Sequence, residues 1–322
     1  MNIKMIEAFG IALVITLIAY PLVIPFLHRV KFGQTVRADG PQSHLAKSGT
    51  PTMGGTVFII ASILTTIIVE PQALTDLNLL VVMLAFVGYG AIGFIDDFII
   101  VVKKDNEGLK PKAKFLLQSL LAIAFYLLYR NVNDTQIIIP FVHKYLDLGH
   151  FYIIVVFFMF TGASNAVNLT DGLDGLCSGL SILAIIPFIY FCVRSNMMDV
   201  AIFLCAVEGS LLGYLRYNWH PAKIFMGDTG SLALGGLLAA VAMVTKEEIA
   251  LVFVGGVFVI ETLSCILQVG YFKATHGKRL FRMAPIHHHF ELGGMSEVHV
   301  VLMFWAVGLL LCILGIAMGM AL

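Results

Sequence analysis

The chain has 322 residues, of which 59% are hydrophobic and 12% charged, with a mean hydropathy of +0.93. A soluble domain is roughly 45–50% apolar and 25% charged, so this composition excludes an ordinary water-soluble globule and makes lipid the solvent for most of the surface. Twenty basic residues balance twenty acidic ones; net charge says nothing about partners, and the information lies in where the charges fall.

A membrane-crossing helix needs about 20 apolar residues. Ten stretches approach that length: 8–30, 53–69, 77–99, 115–130, 151–166, 178–194, 198–215, 229–244, 249–271 and 298–320. Backbone in lipid must satisfy its own hydrogen bonds, which favours helices over open sheet. The first stretch lacks a small-residue cleavage site and is read as a retained helix rather than a signal peptide. The fourth and fifth are short, and the ninth holds Glu261 and Gln268, a mark of a break or bend. With no internal repeat, the expectation is one all-α polytopic membrane domain over residues 1–322. The five cysteines show no CxxC spacing and read as small buried hydrophobes.

Lys and Arg placement orients the spans. The loops after odd-numbered spans hold Arg29, Lys31, Arg37, Lys47, Lys103, Lys104, Lys110, Lys112, Lys114, Arg216, Lys223, Lys273, Lys278, Arg279 and Arg282, against Lys4, Arg130, Lys144, Arg194 and Lys246 on the other side. This bias puts the odd loops in the cytoplasm and both termini outside. The unusual polar clusters fall on the same cytoplasmic side, which argues against a transporter, where polar groups belong near mid-membrane.

Asp96-Asp97 closes span 3. Ionisable groups at membrane depth are usually functional, and adjacent carboxylates favour a cation such as Mg²⁺, which prefers carboxylates plus substrate phosphates; a solvated acidic helix end is the plain alternative. Residues 165–176, NAVNLTDGLDGL, put two Asn, one Thr and two Asp in ten positions without Lys or Arg. Residues 218–231, NWHPAKIFMGDTGS, end at a helix start whose N–H groups suit an anion; there Asp228 is either a metal ligand or an N-cap. Residues 285–291, PIHHHFE, follow Lys278, Arg279 and Arg282. Successive helical residues point different ways, so the three imidazoles suit phosphate donation better than zinc. The lysines of GLKPKAK (108–114) and Lys47 suit phosphate contact or simple topology. No P-loop, GxSxG or basic-aromatic patch occurs, so ATP hydrolysis, serine hydrolysis and nucleic-acid binding are unsupported.

These strings, with TPTMGG (50–55), resemble the polyprenyl-phosphate N-acetylhexosamine-1-phosphate transferase superfamily, and the His triplet followed by Phe-Glu resembles its phospho-N-acetylmuramoyl-pentapeptide transferase branch. The match spans about residues 47–297 in order. The resemblance implies a bacterial multi-pass cell-membrane enzyme that uses Mg²⁺ to move phospho-MurNAc-pentapeptide from its UDP carrier to undecaprenyl phosphate, releasing UMP, and it is compatible with a homodimer. It implies catalytic roles for Asp96, Asp97, Asp171 and Asp228, with Asp228 the metal ligand and Asp96 the better general base. It implies substrate contacts for Lys47, Thr52, Lys114, Asn165, Asn168, Asn218, Gln268, His287, His288 and His289, a uracil hydrogen bond for Asp174 and base stacking for Phe225. In one departure, many relatives read Asp-Asp-x-x-Lys, whereas Ile100 stands at that Lys here. A sister GlcNAc-1-phosphate transferase, a lipid or nucleotide-sugar transporter and a cell-wall scaffold are the other readings. Direct attack and a covalent aspartyl-phosphate route both remain open.

Overall fold

The computed structural model describes residues 2–30, 47, 49–103, 108–130, 135–139 and 144–320. Its helices are α1 (Ile3–Arg29), α2 (Gly55–Val69), α3 (Leu77–Lys103), α4 (Pro111–Tyr129), α5 (Tyr152–Thr170), α6 (Leu176–Arg194), α7 (Met198–Asn218), α8 (Gly227–Thr245), α9 (Glu248–Val254), α10 (Gly256–Ala274), α11 (Ile286–Glu291) and α12 (Glu297–Met320). Among the described residues, nine of these elements are long and apolar enough to cross a membrane. Lys31, Arg37 and Lys104, three of the cations used for orientation, lie outside the described residues.

Each of the ten expected spans has a helical counterpart, with two differences. Helix α2 has 15 residues, about 22 Å at 1.5 Å per residue, which is short of the ~30 Å hydrocarbon core. The ninth span breaks at Gly255, between α9 and α10, upstream of the polar Glu261 and Gln268. A glycine at the junction costs a helix interior less to interrupt than any side-chain-bearing residue would. Strands β1 (Gln136–Ile139) and β2 (Lys144–Asp147) pair antiparallel, Gln136 opposite Asp147, at the end of the bundle away from the polar clusters.

Helix α8 is the central post, buried along Thr229–Thr245 and packed on α2, α3, α5 and α6. Lipid tails are as apolar as leucine, so helices associate through close packing of small residues. A Cβ on Gly235 would lie 2.4 Å from Ser164 Cα of α5, and one on Gly209 of α7 would lie 2.1 Å from the Phe9 carbonyl of α1. Ser62 and Ser210 join α2 to α7 by a 2.7 Å hydrogen bond. The free cysteines are buried or half-buried, as expected of small hydrophobes. Alternation of the chain brings the ends of α1, α3, α5 and α7 together with the starts of α2, α4, α6, α8 and α12, and the polar clusters meet there.

Candidate active site

The site is assembled around the first turn of α8. Its amide groups need acceptors, and neither Asp228 nor Thr229 supplies them. The acceptor is Asp97 of α3: Oδ1 takes the Asp228 N–H (3.0 Å), while Oδ2 takes the Thr229 N–H (2.9 Å) and Thr229 Oγ1–H (2.6 Å). A carboxylate at a helix N-terminus is favoured by the macrodipole. Close approach of the two helices depends on glycine, since a Cβ on Gly93 would fall 2.0 Å from the Asp228 carbonyl oxygen. Gly227, at φ +69°, turns the chain into α8 in a left-handed conformation, hard against Asp97 and Thr52.

Relieved of capping, the Asp228 carboxylate points into the cleft. Oδ1 accepts from Asn168 Nδ2 at 2.8 Å, and Oδ2 forms an ion pair with Lys114 of α4. Asn168 also donates to Ser231 Oγ (2.9 Å). Asp96 lies against Asp228, and its Oδ1 accepts the Leu109 N–H at 2.9 Å. Asp171 follows the last residue of α5 and is half-buried. Burial, reinforced by the negative fields of Asp228, Asp97 and Asp174, pushes its carboxyl up to about 8. Asp228 and Asp96 thus share one ammonium, Lys114, while Asp97 and Asp171 lie within the field of the Asp228 carboxylate.

A second knot lies beside the first. Lys47 Nζ donates to Asp174 Oδ1 (2.8 Å) and Glu297 Oε1 (2.5 Å). Asp174 Oδ2 accepts the Ala222 N–H (2.9 Å) and lies 3.1 Å from His220 Nδ1. The TPTMGG segment is laced to the loop before α8 by three bonds: Phe225 N–H to Pro51 O (2.8 Å), Gly54 N–H to Phe225 O (2.8 Å) and Gly55 N–H to Met226 O (3.0 Å).

This arrangement coincides with what the chain resembles. Residues 79–246 match the model of glycosyl transferase family 4, and residues 47–59 match signature 1 of phospho-N-acetylmuramoyl-pentapeptide transferase. The chain is 55% identical over 305 residues to the Bacillus subtilis protein of that name, covering 94% of each chain. The Listeria innocua protein of the same name is 52% identical over 316 residues, covering 97% of each. The chain belongs to the phospho-N-acetylmuramoyl-pentapeptide transferase family.

Against the expectations for this family, the four acids Asp96, Asp97, Asp171 and Asp228 do meet at one end of the bundle, together with Lys114, Asn168 and Thr52. Several other residues named from the sequence hold the scaffold. The Asn218 side chain is buried and bonded to the Gly175 N–H, Ser178 Oγ and the Ile224 carbonyl. Asn165 bridges Gln118 and the Thr161 carbonyl. Gln268 pins the loop after α10 by accepting the Leu280 and Phe281 N–H groups and donating to the Phe281 carbonyl. Phe225 is half-buried at the cleft edge. The three histidines take different polar partners, although the His287 and His288 rings lie 4.1 Å apart. His287 is fully buried, 3.1 Å from Glu261 Oε1 and pressed on Gly172. His288 Nδ1 lies 2.9 Å from Glu291 Oε2, and His289 Nδ1 accepts the Arg282 N–H.

Sequence reading missed Glu297, His220 and Glu261. His220 lies inside the 218–231 string and Glu261 inside an apolar span, but Glu297 carried no signal beyond an acid at a helix start. The residues present fit a divalent cation. All-oxygen ligands suit a hard metal, and the Asp228 carboxylate, with Asp96 beside it, offers such oxygens. Asp174, His220 and Glu297 also offer ligand atoms within 4.8 Å of one another; there, however, the Lys47 ammonium already bridges the two carboxylates.

Proposed function

We propose that this chain transfers phospho-MurNAc-pentapeptide from UDP-MurNAc-pentapeptide to undecaprenyl phosphate, giving lipid I and UMP, with Mg²⁺ held by Asp228. The observation that carries the reading is the Asp228 carboxylate, released from helix capping by Asp97 and gathered with Asp96, Asp171 and Lys114. The signature at 47–59 supports the muramoyl branch over the GlcNAc-1-phosphate sister. The excess of Lys and Arg in the loops on the site side supports a cytoplasmic site in a bacterial cell membrane.

Phosphoryl transfer needs positioning and charge neutralisation more than covalent work by the protein. Bound at Asp228, Mg²⁺ would offset diphosphate charge and stabilise departing UMP. Lys114 would add a point charge on the same oxygens. Asp96 has one carboxylate oxygen fixed by the Leu109 N–H, which aims the other; that oxygen would take the last proton of the lipid phosphate, whose oxygen then attacks the donor phosphorus. Asp97 holds the first turn of α8 and, through it, Asp228.

Purified protein in detergent tests this directly. UMP release is expected only when UDP-MurNAc-pentapeptide, undecaprenyl phosphate and Mg²⁺ are all present. Equal release with UDP-GlcNAc as donor would favour the sister reaction, and no release with either would reject a transferase.

A further inference from the structure

The Lys47 ammonium has three N–H donors. Two are spent on Asp174 Oδ1 and Glu297 Oε1. The same Glu297 oxygen accepts the main-chain N–H of Asp174 at 2.8 Å, and Glu297 Oε2 lies 3.4 Å from His220 Nδ1. One carboxylate, at the first residue of α12, thus grips the side chain of Lys47, the backbone of the 171–176 loop and the imidazole that also faces Asp174. Asp174 and Lys47 lie 123 and 250 residues from Glu297 in sequence, and local chain geometry does not bring them together. Asp174 is nearly inaccessible, while Lys47 and Glu297 keep an opening at 15% and 10% exposure. Among the described residues, one Lys47 N–H remains for a ligand.

We propose that Glu297 is a positioning residue for the pyrimidine-nucleotide end of the donor: it fixes the direction of the remaining Lys47 N–H and the height of the Asp174 loop against the base. This rests on the transferase reading above. Without the Glu297 carboxylate, the Asp174 N–H loses its acceptor and Lys47 swings onto Asp174 alone, so the nucleoside end is disordered while the Asp228 centre keeps its partners.

The test uses the full chain in detergent, with UMP binding measured by calorimetry and steady-state kinetics measured for both substrates. Glu297→Ala is expected to raise the Kd for UMP and the KM for the UDP donor about tenfold, equivalent to about 1.4 kcal/mol, with kcat and the KM for the lipid phosphate within about twofold. Glu297→Gln keeps an acceptor oxygen and should recover most of the loss. If Glu297→Ala does not fold, Glu297→Asp, one methylene short of both donors, carries the same expectation. An unchanged Kd for UMP, or a fall in kcat with both KM values unchanged, overturns the proposal. Folded wild-type protein that fails to bind UMP overturns the transferase reading itself.

Discussion

Substituting Gly93 by alanine probes the joint between α3 and α8 with one methyl group. The new Cβ would sit 2.0 Å from the Asp228 carbonyl oxygen, 2.3 Å from its carbonyl carbon and 2.5 Å from the Thr229 nitrogen. Non-bonded atoms rest about 3.5 Å apart, so the first turn of α8 must retreat by roughly 1–1.5 Å. Overpacking of this kind costs about 1–3 kcal/mol, which the bundle can absorb. The larger effect is on chemistry, because a misplacement near 1 Å in a phosphoryl-transfer site costs on the order of 10²-fold in rate. The retreat would also stretch the Asp97 bonds to the Asp228 and Thr229 amides, which are 2.9–3.0 Å long. UMP release by purified protein, with thermal unfolding alongside, measures both. Gly162→Ala in α5 is the control, since its Cβ would meet nothing within 4 Å and should leave the rate within about twofold. Gly93→Ala with more than half of wild-type turnover would refute the reasoning.

Two further outcomes follow from single contacts. Asp97→Asn keeps one acceptor oxygen but turns an NH₂ toward one of the α8 donors; it should lose about 2–3 kcal/mol of stability and most turnover, read by denaturant titration and UMP release. Glu247, in the turn between α8 and α9, has its carboxyl pushed from 4.5 up to about 7 by burial and the charge of Glu248, against the opposing Arg194. The folded state therefore favours the protonated form, so stability is greatest at low pH and falls as pH rises from about 4.5 to about 7. Glu247→Gln should flatten the profile in that window, and an unchanged slope in pH-dependent unfolding would contradict the assignment.

Much of the fold was legible because lipid imposes a simple rule: each span must carry about 20 apolar residues with internal backbone bonding. Where the rule weakens, the reading weakened with it. Helix α2 is too short to cross alone, the ninth span breaks at Gly255, and the β1–β2 hairpin lies outside the apolar stretches. The acids of the site were legible because carboxylates at the ends of apolar helices are costly without a purpose. Their division of labour was not. Whether Asp228 capped α8 or faced the cleft turned on Asp97, 131 residues away. Asn218 and Gln268 read as cleft residues, but their amides also serve backbone groups that appear only once the loops have folded, and the Asn165 amide bonds the Gln118 side chain of α4. Glu297 was invisible because its partners, Lys47 and Asp174, are 250 and 123 residues distant.

The proposed reaction depends on one divalent cation held at Asp228. Mn²⁺, used as a paramagnetic probe on purified protein without nucleotide, measures this directly by electron paramagnetic resonance. The structure predicts one Mn²⁺ per chain, displaced by Mg²⁺, and abolished in Asp228→Asn protein that still unfolds at the wild-type temperature. Wild-type stoichiometry and affinity in Asp228→Asn would contradict it.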